Sequence, residues 1–445
     1  MEISSGDTAW MLVSSALVML MTPGLALFYG GLARSKNVLG TIMQSFMMLG
    51  VISVQFAIIG YTLAFGPDKG GIIGGLDFLF LKDVSATEAG PFAPTIPHQT
   101  FMIFQMMFAV ITPALITGAF AERAKFSTFL VFMLLWATLV YDPVAHWVWG
   151  GGFLGLANLG ALDFAGGTVV HINAGIAALA AAVVYGKRHG FGRDPMEPHD
   201  ITMVVIGASL LWFGWFGFNA GSALAASGEF LTATNAFTVT HLATATAAIT
   251  WTALSWVFLG KPSVVGAAAG AVAGLVAITP ASGFVTPMAS LVIGAGAGSL
   301  CYFAVRLRAK MGLDDSLDVV GVHGVGGAWG ALATGLFATV ALSGIEGTDG
   351  LFYGNAEQFL KQLVAVGVTI GYSFVVTFVI LKVLDVVMGL RVNEEEEISG
   401  LDASQHGERA YLFDGAGSTY AGIPVEYENA SGYTPTAQRP SEAHS

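Results

Sequence analysis

Apolar positions in this chain come in long unbroken runs separated by short polar stretches, with neither the alternation of a half-buried strand nor the narrow stripe of a surface helix. The runs fall at residues 8–31, 39–66, 99–120, 127–149, 167–186, 202–223, 235–259, 264–280, 286–306, 323–342 and 360–388. About twenty helical residues span the roughly 30 Å hydrocarbon layer of a bilayer, and longer runs fit by tilting. The pattern therefore predicts an all-α integral membrane protein of about eleven transmembrane helices, in which the eighth is short and the start of the tenth is poorly marked.

Composition agrees with that picture. The 445 residues are 54% hydrophobic and only 11% charged, against about 25% charged in soluble domains, which excludes a soluble fold. Fifty-eight glycines suit close helix packing in lipid, and Gly266, Gly270 and Gly274 form a small-xxx-small ladder. With Cys301 as the single cysteine, neither an intrachain disulfide nor a cysteine metal site is available. The net charge of −12, much of it in the tail at Glu394–Glu397, is not that of a nucleic-acid binder. The start, MEISSGDTAW, lacks a basic n-region, so the first run reads as a membrane helix and not as a cleaved signal.

Basic residues orient the chain. Arg34 and Lys36 follow the first run, Arg123 and Lys125 the third, and Lys187, Arg188 and Arg193 the fifth. Lys261 follows the seventh, Arg306, Arg308 and Lys310 the ninth, and Arg391 the eleventh, whereas 142–166 and 224–234 contain no Lys or Arg. The positive-inside rule puts the N-terminus outside and the C-terminus in the cytoplasm. Runs one to five end on a helix preceded by Asp163 and containing His171; runs six to ten end on one preceded by Asp318 and containing His323. Five is odd, so the halves cross in opposite senses, an inverted five-plus-five repeat (about 8–186 and 202–342) with an extra helix at 360–388. Residues 1–388 thus form the membrane domain and 389–445 a cytoplasmic tail, with 389–411 ordered and the polar stretch 412–445 disordered.

The candidate chemistry lies where polar groups interrupt the runs. His171 and His323 are ionisable groups inside membrane segments, which mark pathways or relays. Two neutral imidazoles lining a dry pore could share a proton and offer polar contacts to a small neutral guest. The competing readings are a histidine satisfied by a backbone carbonyl, or a metal site, for which no third ligand is at hand. Asp318 reads as a helix cap, and Asp163 either as a cap or as an attraction for cations. Trp149, Phe104, Phe108, Phe218 and Ser222 gather towards the outer ends of three helices. They form either an interfacial aromatic belt or a cage for a small cation above a Phe108/Phe218 gate. Asp142-Pro143 reads as a kink or loop, and His146 and His241 receive no role. A permanent cation would lose on the order of 10 kcal/mol or more entering an apolar channel without rings of carbonyls or carboxylates, and no such ring is visible. A cation that sheds its proton avoids that loss, and ammonium is such a cation. No nucleophile or metal constellation of an enzyme is readable.

DFAGGTVVHINAGIAALAAAVVYGKR resembles the signature of the ammonium transporter family, Amt/Mep class. So do FYGGLARSKN, TGAFAERAKF, HWVWGGG, WFGFNAGS, GKPSVVGAAAGAVAGLVAITPASG and DVVGVHGVGG, and the resemblance spans roughly 5–411. It implies an eleven-helix inverted repeat assembled as a homotrimer in the plasma membrane, with one pore per subunit. It also implies an external cation site on Trp149, Phe108 and Ser222, a gate on Phe108 and Phe218, twin pore histidines at His171 and His323, and the signature aspartate at Asp163. The complete cage distinguishes the chain from the related Rhesus-type channels. The segment GLRVNEEEEISGLDASQHGERAY resembles the family's tail, which implies coupling between pores and a cytoplasmic PII-type signalling partner. No cofactor is implied. A receptor signalling through the tail is the competing function.

Overall fold

A computed structural model describes residues 2–228 and 232–411; the reading of 412–445 as disordered lies outside the described residues. Among the described residues, nine helices are long and apolar enough to cross a membrane: α1 (Ser5–Leu32), α2 (Ser35–Phe65), α3 (His98–Phe120), α4 (Phe126–Val148), α5 (Gly167–Tyr185), α6 (Ile201–Gly221), α7 (Thr232–Leu259), α9 (Pro287–Met311) and α11 (Ala356–Met388). Between them lie the short apolar α8 (Val264–Ile278) and α10, a π turn over Val320–Gly324 continued by an α segment Val325–Phe337. In the described tail a short helix, α12 (Glu394–Ser399), is followed by a π turn at Asp402–His406.

Helix starts follow local chemistry. Ser4, Asp200, Ser263 and Thr286 accept amide protons from the first turns of α1, α6, α8 and α9, satisfying donors that a helix leaves orphaned. Asn393 and Glu396 form a reciprocal capping box on α12. Gly312 ends α9 in the left-handed region at φ 67°, a conformation that glycine adopts without strain. The ladder on α8 packs against α7: a Cβ on Gly270 would lie 2.6 Å from Trp251 Cβ, and one on Gly274 2.7 Å from Ala247 Cβ.

Three expectations need correction. Asp142 and Pro143 form no loop: they begin an α segment inside α4, directly after a π turn at Ala137–Tyr141, the kind of irregularity at which helices bend. The tenth helix starts earlier and stops at Phe337, not 342, because Ala338 turns extended and the chain takes non-local partners, Thr339 N–H donating to Phe284 O at 2.9 Å. Asp318 does not cap α10. Asp315 does, its Oδ2 accepting from Val320 N at 2.7 Å, while Asp318 sits at φ 63° with its carboxylate 2.8 Å from Arg308.

The loops after α1, α3, α5 and α9 meet at one end of the bundle. Glu122 is buried between Arg34 at 2.6 Å and Arg188 at 3.2 Å, and Arg188 also pairs with Asp314 at 2.8 Å. Burial alone would raise the Glu122 carboxyl, but the two guanidinium groups hold it below its usual range. Arg123, fully buried, donates to the carbonyls of Ala119 and Asp314 and to Ser316 Oγ. The tail joins this layer. Glu397 pairs with Arg391 at 2.6 Å and accepts from His189 N, Lys36 donates to Glu397 O, and Asp402 accepts from Gly40 N. Residues up to Ala410 form one unit.

Asp315 gives this end a pH dependence. Burial and the neighbouring Asp318 push its carboxyl from 3.8 up to about 7. Folding thus favours the protonated form: its contribution is present below the unfolded value and is lost as pH rises through the folded value of about 7. Asp315→Asn keeps an acceptor for Val320 N and removes the charge. The melting temperature of the variant in detergent is expected to gain on the wild type as pH rises from about 4 to about 7 and to level off above that; parallel curves throughout would contradict this.

Candidate functional site

The elements converge on two cavities stacked along the bundle. The first holds about 260 Å³ and lies at the end opposite the basic loops, lined by Phe65, Phe101, Gln105, Phe108, Trp149, Asp163, Ser222 and Phe284 among others. Trp149 is the residue on which α4 ends, and its indole N–H donates to Asp163 O at 2.9 Å, fixing the ring. Phe108 meets it edge-on, with centroids 5.9 Å apart. Ser222 donates its hydroxyl proton to Phe218 O at 2.9 Å, so its oxygen faces the cavity as an acceptor. Asp163 accepts from the amides of Gly166, Gly167, Thr168 and Val169 and from the Thr168 hydroxyl. Burial raises its carboxyl and those donors oppose the shift; since every partner is a donor, the site fits the ionised acceptor. Both roles considered for Asp163 are open to it: it caps the start of α5 and lines the cavity.

Phe104 is placed differently from its companions. It does not line the cavity but is fully buried behind it, edge against Phe108 at 4.9 Å, in space that Gly221 leaves by lacking a Cβ. Sequence reasoning missed Gln105. It is buried, lines the cavity, and its Oε1 has no hydrogen-bond partner among the described residues. The signal was present as the one amide in the run FQMMF. A cation here would meet aromatic faces worth about 0.5–2 kcal/mol and the acceptor Ser222 Oγ, with the Gln105 side chain in the wall and its Oε1 buried.

Phe108 and Phe218 close the floor of this cavity, stacked with centroids 4.1 Å apart and planes 28° apart. Beneath them is a cavity of about 10 Å³ lined by Phe28, Leu115, His171, Trp215, Phe218, Val272 and His323; that volume is about one water-sized probe. His171 and His323 face each other across it, Nδ1 to Nδ1 at 3.3 Å, both buried. Only one Nδ1 can carry the shared proton, so the neutral rings must take opposite tautomers. The His171 ring lies along Trp215 at 5.4 Å, which is itself pinned by its N–H to Thr279 Oγ1 at 2.8 Å. His171 Nε2 has no protein partner among the described residues.

Backbone, more than side chains, makes this meeting possible. Each histidine sits in a π turn, His171 in Gly167–Ile172 and His323 in Val320–Gly324, a distortion that recurs at functional sites. The helices touch backbone to backbone. A Cβ on Gly175 would lie 2.2 Å from Gly324 N, and one on Gly327 2.9 Å from His171 Cβ. The other membrane-segment histidines lie elsewhere: His98 meets the Tyr61 hydroxyl at 2.5 Å, His146 contacts Ala64 O at 3.0 Å and Asp68 at 2.9 Å, and His241 packs on Trp212 at 5.3 Å. No cluster of three metal-ligating side chains occurs among the described residues.

A bundle of apolar helices with an aromatic vestibule above a buried polar pair defines a multi-pass membrane transport protein. The model of the Ammonium Transporter Family matches residues 9–411, and the chain belongs to that family. It is 53% identical over 407 residues to the ammonium transporter of Bacillus subtilis, covering 91% of this chain and 98% of that one. It is 48% identical to the ammonium transporter Amt1 of Archaeoglobus fulgidus, covering 92% and 100%. The crystal structure of Mep2 from Saccharomyces cerevisiae superposes with a TM-score of 0.84 at 36% identity, covering 93% of each chain.

The helix crossing yields a direct test. Gly175→Ala forces a methyl group into the Gly324 backbone, an overpacking that costs about 3 kcal/mol. The variant is expected to melt lower in detergent and to lose uptake of labelled methylammonium in vesicles, whereas Gly367→Ala, which meets open space, is expected to behave as wild type.

Proposed function

We propose that the chain recruits ammonium at the vestibule, where the cation gives up its proton either to the external water or to a relay through the pore, and conducts ammonia past His171 and His323 into the cytoplasm. The observation that carries this reading is the order of the two cavities. A roomy site with aromatic faces and the acceptor Ser222 stands above a one-probe cavity whose polar surface is the imidazole pair. In this reading Trp149, Phe108 and Ser222 bind the cation, Phe104 supports Phe108, Asp163 holds the vestibule and the start of α5, and Phe108 with Phe218 form the gate. Low dielectric favours the uncharged guest below the gate.

The same proposal includes eleven crossings as an inverted five-plus-five repeat plus α11, with the N-terminus outside and the C-terminus in the cytoplasm. The clustering of the loops after α1, α3, α5 and α9 at one end, and of Trp149, Phe101 and Ser222 at the other, supports the alternation. Residues 1–388 are taken as the transport domain and 389–445 as its tail. A homotrimer in the plasma membrane, and a PII-type partner meeting the basic loops and tail, complete the proposal on the strength of family membership.

Proteoliposome currents under an inward ammonium gradient test it. Replacing both His171 and His323 by Ala is expected to lower the rate by about tenfold or more, the loss of a single net hydrogen bond at ~1.4 kcal/mol, and to weaken discrimination against potassium. Unchanged rate and selectivity would remove the imidazole pair from the mechanism.

A further inference from the structure

A second pair of π turns meets away from the histidines. One, Phe56–Gly60, interrupts α2; the other, Ala137–Tyr141, interrupts α4, and the two pack against each other. Gln55 directly precedes the first and Asp142 directly follows the second. Their side chains are joined: Gln55 Nε2 donates to Asp142 Oδ2 at 2.8 Å and to Thr138 Oγ1 at 3.1 Å. Gly60 makes room for the amide, since a Cβ there would lie 2.9 Å from Gln55 Oε1. The conduction route described above makes no use of this pair.

The pair is sealed from water and from other charges. Asp142 is 0% exposed and Gln55 6%. Among the described residues no Lys, Arg or His nitrogen lies within 4.0 Å of the Asp142 carboxyl; His146, one turn further along α4, is engaged instead by Ala64 O and Asp68. Asp142 Oδ1 and Gln55 Oε1 are both buried with no hydrogen-bond partner among the described residues. An ionised carboxylate would leave these two acceptors facing no donor, and would add a lone charge within a membrane segment. One proton on Asp142 Oδ1 removes the charge and supplies the missing donor. Acid and amide then close a ring, the O–H donating to Gln55 Oε1 and a Gln55 N–H to Asp142 Oδ2, while the second Gln55 N–H serves Thr138.

We propose that Asp142 is a protonated acid in the folded protein at neutral pH, and that its cyclic pair with Gln55 clamps α2 to α4 and thereby positions the walls of the vestibule. Beyond the clamp α2 runs to Phe65 and α4 ends on Trp149, and both side chains line the 260 Å³ cavity. The link is made where each helix is distorted by an extra residue, so it holds the two outer segments in register. Asp142 touches no guest and acts through those walls, as a positioning residue. The positional half rests on the vestibule being the cation site; the protonation does not.

Infrared spectroscopy of the full-length protein in liposomes, its aspartates labelled with carbon-13, tests the protonation without reference to transport. The difference between wild type and Asp142→Asn at neutral pH is expected to show the C=O band of a carboxylic acid and no carboxylate band. Uptake of labelled methylammonium tests the clamp. Asp142→Asn replaces the O–H of the ring by an N–H, so KM, maximal rate and melting temperature are expected to stay at wild-type values. Asp142→Ala leaves Gln55 Oε1 without a donor and is expected to raise KM about tenfold with a smaller change in maximal rate. Gln55→Met, close in volume, carries the same expectation and serves if Asp142→Ala does not fold. Absence of the carboxylic-acid band overturns the proposal. So does a KM for Asp142→Asn raised as far as that of Asp142→Ala, which would mean an ionised carboxylate holding a cation. An unchanged KM in Asp142→Ala and Gln55→Met overturns the clamp, unless Trp149→Ala leaves KM unchanged as well, in which case the vestibule reading fails instead.

Discussion

The backbone contact between α5 and α10 is the constraint on which the site depends. Helices in lipid gain little from burying apolar surface against each other, so close association relies on small residues that let backbones touch. Gly175 against Gly324, and Gly327 against the α5 backbone at His171, leave no room for a methyl group. At that separation two imidazoles projecting inward meet at 3.3 Å; with larger residues at the crossing the rings would stand apart, with a void between them. The π turns supply the rest, since each inserts an extra residue into a helical turn at the histidine and re-aims the side chain.

A crossing this tight needs its helices fixed at their ends, and the fixing is polar. At one end Asp163 gathers the first amides of α5; at the other Asp315 receives the first amide of α10. Beyond Asp315, Arg188, Glu122, Arg34 and Asp314 lock the loops of four helices into one buried network. Such networks add little net stability over apolar packing but are costly to break singly, because a lone buried charge remains. Their effect here is positional: Arg188 follows the end of α5 by three residues and Asp314 and Asp315 lie just ahead of α10, so the network sets the height at which the two π turns face each other.

Much of this was legible in the sequence, for physical reasons. A run of some twenty apolar residues has few alternatives to a bilayer-length helix, so the long helices could be read directly. A histidine inside such a run is costly enough to mark a site. What could not be read depends on backbone phase and on neighbours distant in sequence. Residue spacing does not distinguish an α turn from a π turn, which is why Asp142-Pro143 could be read as a kink or a loop and proves to lie within a helix, just after a π turn. Asp318 and Asp315 are both acids just ahead of α10, and only Arg308 decides that the nearer one turns away. Gln105 was overlooked because an amide within an apolar run looks like any interhelical glue until its carbonyl is found without a partner.

The two cavities also divide the proposed task between conditions that no single site could provide. Holding a cation calls for aromatic faces and acceptors in a space where some water remains, and the 260 Å³ vestibule has both. Excluding a cation calls for an absence of water, and 10 Å³ leaves room for little more than one molecule of its size. Between them stands the Phe108–Phe218 stack, 4.1 Å thick from centroid to centroid. A fully hydrated ion passing it would have to leave its shell behind with nothing but ring faces in return. For potassium that loss is final, because it has no proton to surrender. For ammonium it is avoidable, since an amine that leaves its proton above the stack arrives below it as a neutral molecule able both to donate and to accept. Opposite tautomers on His171 and His323 present one donor-rich and one acceptor-rich nitrogen to such a molecule, so selectivity in this scheme follows from the chemistry of proton loss and needs no fit to ionic radius.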